Sequence, residues 1–415
     1  MERNISPHIY AISAISTVLI SYFVFYHWQI DAHFYFLPML GLALIYALIN
    51  FSRQKKNPVY FKFNYQSSYG PLLRKSLARY LIWLALLYLG YKIYEVTPYY
   101  NSPFFKPNLE FFKQLLLIYS IAGLPYFFIT LKYKSSRIED FYDPAIRIIH
   151  ILKQISLRTL RGDRVGSIFL VLKKRYNRKV LLNLVMRTYF IPVMVSQISS
   201  NMSYSLQLTH SYNFNSSLLT LLMLLTSLIW LTDATNASLA YCMESRWIEN
   251  RTRSIDMTIS GWMVCLFCYP PLNGITSYFF PFAPNVVSND PGALIYTNMT
   301  FFYTAKIIQV SLLALHVYID LSLGPSVANI TFKKLQTKGV YGIVRHPGTV
   351  TKLFFWLITS SFYSRFWSTR MILGQLSWSI IYILRALTEE RHLKHHHEYN
   401  EYKKKVKYRF IPGLF

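Results

Sequence analysis

Acidic residues are scarce in this chain: 18 Asp and Glu stand against 44 Lys and Arg in 415 residues, a net charge of +26. A balance this basic could suggest nucleic acid as a partner, but the distribution argues otherwise. The basic residues gather in alternate polar stretches between apolar runs, the pattern of positive-inside topology and of attraction to anionic lipid, so nucleic acid is excluded as a partner. Cysteine is rarer still. Cys242, Cys265 and Cys268 all lie inside apolar runs, which implies no disulfide framework and makes packing the expected role of the Cys-x-x-Cys pair. Internal repeats, low-complexity segments and a leader with a small-residue cleavage site are also missing, so the first apolar run is expected to remain as a span.

What is abundant is apolar and aromatic: 53% and 17% of the chain respectively. Several runs approach the roughly 20 residues that cross a bilayer, with Tyr and Phe at their ends where interfacial anchors belong. The expected fold is all-α, a polytopic integral membrane protein with about ten membrane segments. Four regions are expected: N-terminal transmembrane helices over 1–131, a basic cytoplasmic segment with an amphipathic helix over 132–179, middle transmembrane helices over 180–300, and a C-terminal module over 301–415. The loop holding Arg53, Lys55, Lys56, Lys62, Arg74, Lys75 and Arg79 without an acid places itself and both termini on the cytoplasmic side.

In the basic segment, Arg147, His150, Gln154, Arg158 and Arg161 recur at spacings of three and four, with Ile148, Ile149, Leu152 and Ile155 on another face. This predicts a helix lying in the membrane interface, tethered by its apolar face or recruiting acidic lipid. Arg187 and Asp233 fall within predicted spans. Ionisable groups there are costly, so the two are expected to pair. Pro270-Pro271 interrupts the run at 257–280, as a kink or the wall of a cavity.

Polar chemistry concentrates from residue 337 onward. A loop, Lys338-Gly339-Val340-Tyr341-Gly342-Ile343-Val344-Arg345-His346-Pro347, leads into an apolar hairpin whose first arm, at about 1.5 Å per residue, reaches only some 22 Å. The second arm ends in Arg385-Ala386-Leu387-Thr388-Glu389-Glu390, and a tail carries Tyr399, Tyr402, Val406, Arg409, Ile411 and Pro412. Arg385 and Glu389 are four apart, so they are expected to form a charged rung on one helix face. The hairpin should return them to the side that carries Arg345 and His346. The triple histidine His395, His396, His397 reads as solvated surface, since three neighbours cannot converge on one metal, and no metal site is expected.

The ordered set G-x-Y-x-x-x-R-H-P, apolar hairpin, R-x-x-x-E-E-x-x-L and Y-x-x-Y-x-x-x-V-x-x-R-x-I-P resembles the isoprenylcysteine carboxyl methyltransferase and phospholipid methyltransferase superfamily, over the last fifth or quarter of the chain. That resemblance implies S-adenosylmethionine as cofactor at the cytoplasmic face, with contacts from Gly339, Tyr341, His346 and Pro347 of the loop and Arg345 in the same motif. It also implies that the acids Glu389 and Glu390 and Tyr402 of the tail serve the cofactor, and that Arg385 holds the carboxylate of a lipid-borne or lipidated substrate arriving through the bilayer. The tail is expected to fold back as a lid. The family's aromatic after R-H-P-x is Thr349 here, which removes one expected wall of the cofactor site. Three other readings remain open: a phospholipid amine methyltransferase, an NADPH-dependent enzyme resembling sterol reductases, and a non-enzymatic transporter or scaffold.

Overall fold

A computed structural model describes residues 6–54, 69–132, 144–211, 218–245, 247–280, 299–362 and 364–414. The expected loops at 55–68, 133–143 and 281–298 lie outside the described residues. The chain divides into two compact units, one formed by Met1–Tyr46 with Gln197–Phe415 and the other by Ala47–Ser196.

Nearly all described structure is helical. Among the described residues seven helices are long and apolar enough to cross a membrane: Pro7–Trp28, Ala32–Ser52, Lys106–Leu131, Arg175–His210, Leu218–Cys242, Thr300–Leu321 and Thr369–Leu393. This makes the chain an all-α, multi-pass membrane protein at the coarse level. Three of the ten expected segments fall short for visible reasons. The helix Tyr69–Val96 carries Arg74, Lys75, Arg79, Lys92 and Glu95, the run at 257–280 is broken into Ile259–Leu266 and Leu272–Phe279, and the first hairpin arm is the 15-residue helix Pro347–Ser361.

In the Ala47–Ser196 unit, α3 (Tyr69–Val96) packs along α4 (Lys106–Lys132). Tyr80 and Tyr119 stack at 5.5 Å, and the hydroxyl of each donates to a carbonyl of the other helix. The amphipathic helix α5 (Pro144–Leu160) buries Ala145, Ile148 and Ile151, against which α6 (Val165–Lys173) packs, while Leu152 stays exposed. Its inward stripe is therefore rotated from the expected one. Arg147 reaches Asn177 Oδ1 at 2.6 Å from the polar flank of that stripe.

The larger unit is built on α1 (Pro7–Trp28), α8 (Leu218–Cys242) and α11 (Met299–Leu321). Just beyond α11 the chain packs tightly on α1: Gly324, at φ +56°, leaves no room for a side chain, since a Cβ there would lie 2.7 Å from the Tyr10 ring. Asn236 bridges the helices, accepting from Tyr46 Oη at 3.0 Å and donating to the Gly324 carbonyl at 3.1 Å. The expected Arg187 partner of Asp233 belongs to the other unit; the charged neighbours of Asp233 are Asp320 and Lys352.

One short ribbon departs from the helical plan. Strand β1 (Ser254–Ile255) pairs antiparallel with β2 (Thr331–Phe332), and Arg253 and Asp256 extend it through bonds to the Phe332 and Ile330 carbonyls. It lies beside α9 (Ile259–Leu266), which is followed after the Tyr269-Pro270-Pro271 break by α10 (Leu272–Phe279). Thr258 caps α9 by accepting from Gly261 N. The hairpin is α12 (Pro347–Ser361) and α13 (Thr369–Leu393), and α14 (His397–Lys405) opens the tail.

Candidate active site

The site is assembled where the R-H-P loop, the end of α13 and the tail meet. Gly339 turns the loop with φ +66°, a left-handed conformation that favours glycine. Pro347 then occupies the first turn of α12, where its missing N–H costs nothing. Between them Arg345 and His346 are buried, and their amides donate to the Tyr408 and Arg409 carbonyls at 3.0 and 2.8 Å. The tail is thus stitched to the loop by main-chain bonds. Tyr402 adds a third tie, its hydroxyl donating to the Tyr341 carbonyl at 2.6 Å, from a cluster with Phe332, Leu393, Tyr399 and Val406.

Glu390 is the anchor of this junction. Its carboxylate is 2% exposed and takes Arg345 Nε at 3.1 Å and His346 Nε2 at 3.3 Å on one oxygen, and Arg409 Nε at 3.2 Å on the other. Loop, helix and tail are locked by one buried acid, which is occupied by two arginines and a histidine of the chain. Arg345 is not saturated in return: its Nε stands at ion-pair distance from Glu390, but neither Nε nor Nη1 makes a hydrogen bond.

Arg385 lies one turn back on α13 and is half-buried. The expected rung with Glu389 does not form. Arg385 instead donates through Nη2 to Asn329 Oδ1 and lies 5.6 and 5.7 Å from the rings of Tyr269 and Tyr382. Two aromatic faces and a neutral amide acceptor draw the guanidinium away from the solvent side of the helix, where Glu389 stands. Asn329 is itself held, its amide N–H donating to Tyr241 Oη at 2.8 Å and its Nδ2 to Tyr269 Oη at 3.0 Å.

Glu389 is exposed and takes no hydrogen bond or ion pair among the described residues. It acts electrostatically on Tyr341, Tyr399 and Tyr402. Burial raises all three phenols above the ordinary tyrosine range, so each remains a neutral hydroxyl. Tyr341 also feels Asp320 of α11. Gly348 lies close to the same carboxylate: a Cβ there would be 3.2 Å from Asp320 Oδ1. A zwitterionic, cationic ligand has complementary groups here, a free carboxylate at Glu389 and an orphan guanidinium nitrogen at Arg345.

Behind the loop, His316 is buried, its Nδ1 3.2 Å from Thr351 Oγ1 and its Nε2 3.7 Å from Asp320. Among the described residues no group of three His, Cys, Asp or Glu could hold a metal ion. Sequence reasoning missed the contribution of the 244–280 region. Ser254 Oγ contacts His392 and His396 at 2.8 and 2.7 Å, Arg391 reaches Thr258 and Asp256, and Arg253 pairs with Glu398. Of the three consecutive histidines, His395 and His397 are exposed as expected, while His396 packs 4.4 Å from Phe332. Comparison with protein-family models, with curated proteins and with solved structures finds no match to the chain.

Proposed function

We propose that the chain is an S-adenosylmethionine-dependent membrane methyltransferase that O-methylates the carboxylate of a lipidated, isoprenylcysteine-like or otherwise lipid-borne substrate at the cytoplasmic face. The observation that carries this reading is the junction at Glu390: two polar motifs separated by 44 residues and an apolar hairpin meet on one carboxylate, which brings together the segments the resemblance assigns to the cofactor. Arg345 Nη1 and Glu389 would hold the two ends of the cofactor's amino-acid moiety. When bound, the cofactor supplies an electrophilic methyl group on a sulfonium.

The chain's own residues do the rest. A carboxylate acceptor is ionised at neutral pH, so no general base is needed. Arg385 keeps unused N–H donors beside its Asn329 bond and would orient that carboxylate, with Tyr269 and Tyr382 fixing the plane of the guanidinium. Because Glu389 leaves Arg385 alone, the arginine is not quenched by an internal counter-ion.

An amine acceptor is the second reading, favoured by the carboxylates of Asp233 and Asp320 near Lys352 and His316. Transfer of radiolabelled methyl from S-adenosylmethionine by the purified chain to a membrane lipid extract tests both. A base-labile, volatile label expected of an ester supports carboxyl transfer; a base-stable label supports amine transfer; no label overturns both.

A further inference from the structure

Lys352 stands one turn into α12, half-buried, with no hydrogen bond and no carboxylate at ion-pair distance among the described residues. Its ammonium lies 5.9 Å from the centroid of the Tyr382 ring, the same ring that Arg385 approaches at 5.7 Å. Two cations of like sign therefore share one buried aromatic. Each gains from the ring quadrupole, but neither neutralises the other. Asp233, itself beside Asp320, interacts electrostatically with Lys352 without forming an ion pair among the described residues. An unpaired charge inside an apolar helical assembly is costly and marks a place where a ligand supplies the missing charge.

The surroundings give the rest of the ligand. Trp356 meets Tyr382 edge-on at 4.7 Å, and Cys268, Trp378, Tyr269 and Leu353 complete an apolar wall around it. An anionic head beside two cations and an apolar body along this wall is the description of an acidic amphiphile.

We propose that Lys352 is a substrate-binding residue that, with Arg385 across Tyr382, receives the anionic headgroup of the methyl acceptor and sets selectivity for negative charge. This rests on the methyl-transfer reading for the identity of the acceptor, but binding tests it separately from turnover. The purified full chain in a neutral detergent is titrated with N-acetyl-S-farnesylcysteine, a carboxylate, and with its methyl ester, which differs only in losing the charge. The wild type is expected to prefer the acid. Lys352→Gln should weaken acid binding by about ten- to a hundredfold and leave ester binding unchanged, with Lys352→Arg restoring the preference. Equal affinity of the wild type for acid and ester overturns the proposal. So does a Lys352→Gln variant that keeps the preference, or that loses acid and ester together, the mark of a lysine that only supports Tyr382. Charge-selective binding without methyl transfer would leave the headgroup site standing and remove the catalytic reading.

Discussion

Glu389 and Glu390 are neighbours on α13 with opposite environments: Glu390 is 2% exposed beneath Arg345, His346 and Arg409, while Glu389 is exposed and unpaired among the described residues. Successive helix residues point about 100° apart, enough to turn one acid inward and the other toward the loop. The two should therefore fail differently. Glu390→Gln leaves Arg345 buried without its counter-ion and should lower stability by about 3–5 kcal/mol. Glu389→Gln should stay within about 0.5 kcal/mol of the wild type. Thermal unfolding of both variants in the same detergent checks this.

Asn329 positions Arg385 without reaching solvent chemistry of its own, being 9% exposed. Asn329→Ala should lower kcat/KM for methyl transfer by about 10- to 100-fold, through kcat more than KM, because the guanidinium loses its fixed plane. Steady-state kinetics with acceptor varied separates the two. A change confined to cofactor KM would contradict the assignment.

The tail is tied to the loop partly through Tyr402, whose phenol is raised by burial and donates to the Tyr341 carbonyl. A phenol with a raised folded-state value contributes stability that is complete below the unfolded value of about 10 and is lost as pH climbs toward the folded one. Stability should be level in this respect from pH 6 to 9 and fall above about 10, and Tyr402→Phe should lessen that fall while costing about 1 kcal/mol at pH 7. Chemical denaturation across that range reads both effects.

Gly261 touches the site through Asp256. A Cβ there would lie 2.1 Å from Asp256 Oδ2, the carboxylate that accepts from Thr258 and faces Arg391 of α13. Gly261→Ala should displace that carboxylate and cost about 1–3 kcal/mol. Faster amide exchange at Thr258, whose N–H donates to Asp256, would locate the damage.

Much of the helical plan was legible because apolar run length and interfacial aromatics act locally. The Pro270-Pro271 break and the short α12 were readable for the same reason. The meeting of the R-H-P loop with the end of α13 was also expected, since a hairpin returns its ends to one side. What could not be read is set by contacts distant in sequence. Arg385 chose Asn329 and two tyrosines over Glu389, four residues away, because tertiary aromatics outcompete an exposed helix rung worth only a few tenths of a kcal/mol. The ribbon of Ser254–Ile255 with Thr331–Phe332 has strands of two residues each, too short for any alternation of side chains to signal. Asn329 and Lys352 carry no motif; only their neighbours give them meaning.

The central claim is that the junction at Glu390 builds a cofactor site whose free acid is Glu389. Titration calorimetry of the purified chain with S-adenosylhomocysteine, wild type against Glu389→Ala, tests it most directly. The account predicts saturable binding by the wild type and at least about tenfold weaker binding by the variant, a loss of some 1.4 kcal/mol, with unchanged thermal unfolding. No binding by the wild type, or equal binding by both proteins, would contradict it.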